Sequence, residues 1–188
     1  DKFVAAAMRL ADEIAHRFEC ESVCIGQRSQ DYAKLVAISH LEKFDKNSAA
    51  TTQIEHLFEE SLDQAQMISV PNGASHVIDR NHTLYLSNHD LSQVVTIPVL
   101  GDDGDDFSLC ISLHKRGTSF ADRDLLALNV VARQLLPWLR HLFFKEQPLP
   151  KRISRRIRQH GLWWMGPNAS LTKLAAVAAT VFILALLL

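Results

Sequence analysis

The sequence predicts an α+β domain, an antiparallel sheet flanked by helices. Two observations within residues 1–145 carry this. Three stretches repeat apolar residues at helical spacing, and two pairs of short alternating segments are joined by polar connections. The order is helix, two strands, helix, strand, a variable region, two strands, helix. At 47% apolar residues the chain has enough apolar side chain for a core, and only 7 Gly and 6 Pro exclude a low-complexity or collagen-like chain.

Residues 2–19 form the first helix, with Val4, Ala7, Ala11, Ile14, Ala15 and Phe18 at three- and four-residue steps. Ser22–Arg28 and Tyr32–Ser39 alternate as strands around the hairpin-length connection Ser29-Gln30-Asp31. Ser48–Gln66 is a helix with Ile54, Leu57, Phe58, Leu62 and Ala65 on one side, and Ser48 is placed to cap it. Met67–Val70 is a short strand stopped by Pro71-Asn72-Gly73. Residues 72–93 are polar and weakly periodic, a loop or a short helix around Asn81–Leu86. Val94–Leu100 and Phe107–Lys115 flank an acidic tip and are the strongest strand patterns. Asp122–Lys145 closes the domain as a long helix that Pro137 should kink.

In that last helix Leu125, Leu128, Ala132, Leu135, Leu139 and Leu142 form a heptad-like seam, with Leu126, Val130, Leu136 and Phe143 beside it. This is more apolar surface than one sheet face needs. It predicts a homo-oligomer in which Leu128, Leu135, Leu139 and Leu142 meet a second chain, together with the Ala-rich first helix.

Charge is unevenly distributed. Residues 1–145 carry 14 Lys/Arg against 20 Asp/Glu, and residues 146–188 carry 6 against 1. An acidic first part does not neutralise phosphates, so nucleic acid is not an expected partner. The basic part precedes Leu171–Leu188, an apolar run with Lys173 able to snorkel to headgroups. Leu174–Leu188 alone spans roughly 22 Å as a helix, short of the roughly 30 Å hydrocarbon core. The run therefore predicts a transmembrane helix missing about one turn or more, as in a piece of a longer protein. The alternative is a buried core helix. Arg152, Arg155, Arg156 and Arg158, followed by Trp163 and Trp164, predict contact with membrane lipid at the interface. The expected organisation is a domain at 1–147, a basic linker at 148–170 and a span at 171–188. The positive-inside rule gives a single-pass inner-membrane protein with its N-terminal domain cytoplasmic. Three cysteines, an odd number, agree with a reducing compartment.

Chemical motifs are sparse. His76, His82 and His89 stand six and seven apart in the polar region, without the close pairs or thiolates of structural zinc, and read as exposed loop histidines. No metal site and no cofactor are expected. Cys24 and Cys110 alternate with apolar neighbours and read as small core residues. No catalytic constellation or phosphate loop is present, so an enzyme is not expected. The densest polar cluster is Ser39, His40, Phe44, Asp45 and Ser48, between the second strand and the second helix. It predicts a small-molecule site to which His40 and Asp45 supply polar contacts. The alternative is that Asp45 and Ser48 cap the helix and His40 satisfies a loop carbonyl.

The opening helix, the pair SVCIGQRS and YAKLVAISH, the helix at 49–66, the pair VVTIPVL and FSLCISLHK, and the long closing helix together resemble a GAF domain over roughly residues 1–145. The strings ISHLEKFDKNSA and IEHLFEESLDQ resemble the cytoplasmic GAF regions of bacterial HlyD-type membrane-fusion adaptors. In those a basic linker, a Gly-Pro stretch and one transmembrane helix follow, as KRISRRIR, Gly166-Pro167 and Leu171–Leu188 do here. The resemblance implies a membrane-tethered regulatory or sensory domain of an export or efflux adaptor, with export-machinery components as partners. It also implies pockets between the sheet and its covering segments, and hence an unidentified small-molecule ligand. The alternatives it leaves are a ligand-free dimerisation module and the GAF input domain of a signalling receptor. Bilin attachment is not implied, because no Cys-His pair occurs. Of the Asn-Lys-Phe-Asp-Glu set of cyclic-nucleotide-binding GAF domains only the fragment Lys43-Phe44-Asp45 is present.

Overall fold

A computed structural model of the chain describes residues 2–29, 32–71, 76–101 and 107–146. The predicted linker and span, with Arg152, Arg155, Arg156, Arg158, Trp163, Trp164 and Lys173, lie outside the described residues. Among those described, no helix is long and apolar enough to cross a membrane.

The elements follow the predicted order: α1 (Lys2–Phe18), β1 (Ser22–Ser29), β2 (Tyr32–Ile38), α2 (Ala49–Gln64), β3 (Ile68–Val70), α3 (Arg80–Asn88), β4 (Gln93–Val99), β5 (Leu109–Lys115) and α4 (Asp122–Glu146). The strands form one sheet in the order β2-β1-β5-β4-β3, with every neighbouring pair antiparallel. The weakly periodic stretch resolves as α3. Pro137 lies within α4, which continues on both sides of it. Its missing N–H removes one internal hydrogen bond.

Strand alternation divides the interior in two. Val23, Ile25, Val95, Ile97, Leu109, Ile111 and Leu113 meet Phe3, Ala7, Ala11 and Ile14 of α1 and Leu125, Leu128, Ala132 and Leu139 of α4. Cys24, Val94 and Cys110, from the other face, meet Ile54, Leu57, Phe58 and Leu62 of α2 and Tyr85 of α3. A register shift in the β1–β2 pair pairs Ile25 with Ala37 but Gly26 with Leu35. The extra residue, Val36, lets Ala33 and Leu35 face α2 while Ala37 faces α1. Gly26 is required where α2 crosses β1: a Cβ there would lie 2.3 Å from a Phe58 ring carbon.

The outer edge of β2 is closed by α2. Glu55 accepts the Leu35 N–H at 3.0 Å and Glu59 accepts that of Ala33 at 3.3 Å. Carboxylates on these two donors obstruct the addition of a further strand.

Candidate functional site

The cluster at 39–48 divides into structural roles. Ser39 is buried, and its hydroxyl accepts the Val23 N–H at 2.9 Å. His40 sits at φ +64° with an exposed ring, and its backbone N–H donates to Asp12 at 2.7 Å. Asp45 accepts the Asn47 N–H through its carboxylate and the Thr51 hydroxyl through its carbonyl. Ser48 is the N-cap of α2, accepting the Thr51 N–H at 3.1 Å. Phe44 lines a cleft with α1 and β2, described below, to which the other four do not contribute.

The polar chemistry lies instead on the sheet face under α2 and α3. Glu60 of α2 accepts the Asn81 and His82 N–H groups at the start of α3, and His82 Nδ1 at 2.6 Å. His82 Nε2 is 2.7 Å from Thr96 Oγ1 on β4, and that oxygen is 3.0 Å from Ser112 Oγ on β5. Ser112 Oγ is 3.0 Å from His114 Nε2, and His114 Nδ1 is 2.8 Å from Ser22 Oγ at the start of β1. His82, Thr96, Ser112 and His114 are all buried.

One choice of proton fixes the direction of every bond in this relay. With Nδ1–H donating to Glu60, a neutral His82 has only an acceptor at Nε2 and must take the Thr96 hydroxyl hydrogen. Thr96 Oγ1 then accepts from Ser112, Ser112 accepts from His114 Nε2–H, and His114 Nδ1 accepts from Ser22. The opposite set of directions, with Thr96 accepting from His82 Nε2–H, requires His114 to carry its proton on Nδ1 instead of Nε2.

Its ends are electrostatically unequal. Burial pushes the Glu60 carboxyl up, but the hydrogen bonds from His82 and the Asn81 and His82 amides outweigh this and hold it below the usual range. At the other end burial, with His82 and His89 nearby, lowers His114 to about 3 and keeps it neutral. Tyr85 stacks between His89 and His114, with ring centroids 4.2 and 4.9 Å away, and burial pushes its hydroxyl up. A gap of about 40 Å³ lined by Gln53, His56, Tyr85 and Asn88 lies between α2 and α3.

The relay ends where α1 leaves and α4 begins. Glu21 N–H donates to the His114 carbonyl at 2.9 Å, and Lys115 Nζ donates to the Phe18 carbonyl at 3.0 Å. Buried Gln93 accepts the Phe120 N–H, two residues before α4, at 2.7 Å.

No protein-family model matches the sequence, and no curated protein matches it. Solved structures do match the fold. The GAF domain of a two-component sensor histidine kinase from Bacillus halodurans superposes with a TM-score of 0.54 at 17% identity, over 77% of this chain and 96% of that one. The chain has the GAF fold. A GAF domain region from Geobacter sulfurreducens gives 0.53 at 15% identity, over 72% of this chain and 91% of that one. The PixJ GAF domain of Thermosynechococcus elongatus, in its blue-light absorbing form, gives 0.52 at 17%, over 78% and 89%. These neighbours lend no support to the export-adaptor resemblance.

Within this GAF fold two expectations are corrected. His82 is not an exposed loop histidine; it is fully buried in α3, whereas His76 is exposed and His89 half-buried. Leu128 and Leu139 of the α4 seam are buried against the domain's own sheet, and Leu135 and Leu142 are half-buried. The exposed apolar side of α4 is a different set, Leu126, Val130, Val131 and Trp138. Cys24 and Cys110 are buried, and burial pushes the Cys24 thiol up to about 12. Among the described residues no cluster of His, Cys, Asp or Glu could hold a metal ion.

The signal for the relay was present as Ser112 and His114 at alternate positions of β5, and as Thr96 between the apolar residues Val95 and Ile97 of β4. Such alternation ordinarily marks a solvated sheet face. Here α2 and α3 cover that face, so the same pattern marks a buried network.

Proposed function

We propose that this GAF domain is the input module of a signalling protein, receiving its signal on the α2/α3 face and passing it to α1 and α4. The observation that carries the reading is the unbroken relay from Glu60 to Ser22. A change in contacts at α3 that displaces His82 disturbs the bond to Thr96 and, through Ser112 and His114, reaches Ser22 at the α1–β1 junction. The likeness of the fold to a sensor kinase's GAF domain agrees with this role. The signalling reading is preferred to the export adaptor because the relay supplies a route for information, and assembly alone needs none. We further propose that residues 171–188 anchor the module in the inner membrane, on the sequence pattern of basic, aromatic and apolar residues. Two modules would then associate through the exposed stripe Leu126, Val130 and Trp138.

Amide hydrogen exchange on the full chain tests the route. Thr96→Val keeps the shape and breaks the relay in its middle. Exchange should quicken at residues 19–24 and 114–122 as well as in α3. A change confined to α3 and β4 would mean that the relay carries nothing to the helices.

A further inference from the structure

A second site lies across the edge strand β2, away from the relay, at the end of the domain where α1 starts and α4 finishes. A cleft of about 470 Å³ opens there between α1, β2 and the segment 41–46. This lies within the roughly 300–1,000 Å³ of small-molecule sites. Its walls are apolar: Phe3, Met8, Val36, Leu41, Phe44 and Phe143. Phe3 and Phe143 stack edge to face at 5.1 Å, which fixes one end. Leu41, held by a backbone bridge to Ile38, is 49% exposed at the cleft.

The mouth is basic. Lys34, Lys43 and Lys46 line it against one acid, Glu42. Lys34 is already paired with Glu55 at 3.0 Å, which leaves Lys43 and Lys46 as the exposed ammonium groups facing a ligand. An apolar wall with cations at its mouth complements an amphiphile that carries a negative head on an apolar tail. Strand addition is disfavoured, because Glu55 and Glu59 occupy the Leu35 and Ala33 N–H groups of the neighbouring edge. A basic peptide would meet like charge at the mouth.

We infer that this cleft binds a long-chain carboxylic acid as a free monomer, its tail between α1 and β2 and its carboxylate at Lys43 and Lys46. The inference is independent of the relay and of the signalling reading. Failure of either leaves the other standing.

The test uses the full chain and a fluorescent dansyl-undecanoate probe below its micellar concentration, displaced by dodecanoate or by dodecan-1-ol. Saturable binding is expected, with dodecanoate the stronger competitor. K43E/K46E should weaken dodecanoate at least tenfold and leave dodecan-1-ol nearly unchanged. Met8→Trp, which fills the cleft, should abolish both; an unchanged circular dichroism melt shows that each variant is folded. Equal binding of dodecanoate by wild type and K43E/K46E would overturn the inference. So would binding that survives Met8→Trp, which would assign the probe to another part of the chain. Absence of saturable binding, or binding to phosphatidylglycerol vesicles alone, would overturn it as well.

Discussion

The two faces of the sheet are covered by similar helices but held by different forces. The α1/α4 face is almost wholly apolar, and its interior is Phe, Val, Ile, Leu and Ala. Under α2 and α3 a line of buried polar groups crosses the same sheet, each bonded to the next. Apolar packing is non-directional, and changes that conserve volume are tolerated there. A buried polar line has no such tolerance, because each member satisfies two neighbours and its loss leaves both unpaired in a low dielectric. The domain therefore packs one face with apolar side chains alone and adds a directional polar line to the apolar packing of the other.

The largest expected effect exploits this difference. Glu60→Ala removes the acceptor for two backbone N–H groups and for the His82 ring at once. Breaking a buried, charge-bearing pair costs about 3–5 kcal/mol. On the other face Leu128→Ala creates a cavity worth about 2–5 kcal/mol, while Leu128→Met should cost under about 1.5. The contrast lies in rescue: Glu60→Gln recovers only part of the loss, since an amide replaces one acceptor oxygen with a donor. Urea unfolding of the four variants checks it. Full recovery by Glu60→Gln would place the two faces on the same footing.

How much of this was legible in the sequence follows from the same division. Helical and strand periods depend on apolar positions, and α1, α2, α4 and the two hairpin pairs were readable because their apolar residues recur. The seam Leu125–Leu142 was readable as a seam, but not which partner it meets. Burial of Leu128 and Leu139 against the domain's own sheet is decided by tertiary packing. Thr96, Ser112 and His114 could not be recognised as a buried network, because a covered and a solvated face share one alternating pattern. His82 lay in a stretch with too little periodicity to signal burial. Its partner Glu60 is 22 residues away on another helix, beyond the reach of any local motif.

A smaller effect separates the faces by pH. The His114 proton affinity in the folded domain corresponds to about 3, against an ordinary value of 6.5. Between those values the unfolded chain binds a proton that the folded chain refuses, so stability falls as pH falls. The loss starts near pH 6.5 and reaches about 2 kcal/mol at pH 5. The Glu60 carboxyl, held below its usual range, adds a further loss only in more acidic solution, as the unfolded chain's carboxyl gains a proton that the folded one still refuses. Urea midpoints at pH 7 and pH 5 measure the slope. His114→Gln should be less stable at pH 7 and flatter between the two pH values. An unchanged slope in that variant would remove His114 as the source.

The smallest effect concerns the segment that looked most like a binding site. Ser48 and Asp45 follow a strand and precede a helix, where a polar cluster satisfies the first helical N–H groups whether or not a ligand is near. Ser48 accepts the Thr51 N–H, and the Asp45 carboxylate accepts that of Asn47. Ser48→Ala should therefore cost about 1 kcal/mol of stability, and Ser48→Gly only a few tenths. Asp45→Ala, at an exposed turn, should stay within about 0.5 kcal/mol. Neither should alter dansyl-undecanoate binding, because neither side chain lines the cleft beside Phe44. Loss of probe binding in Ser48→Ala with stability unchanged would reverse this assignment. It would make the polar cluster a recognition element and join it to the cleft. Loss of stability alone leaves Phe44 as the one residue of the five that faces a ligand, with the rest holding α2 where its glutamates close the β2 edge.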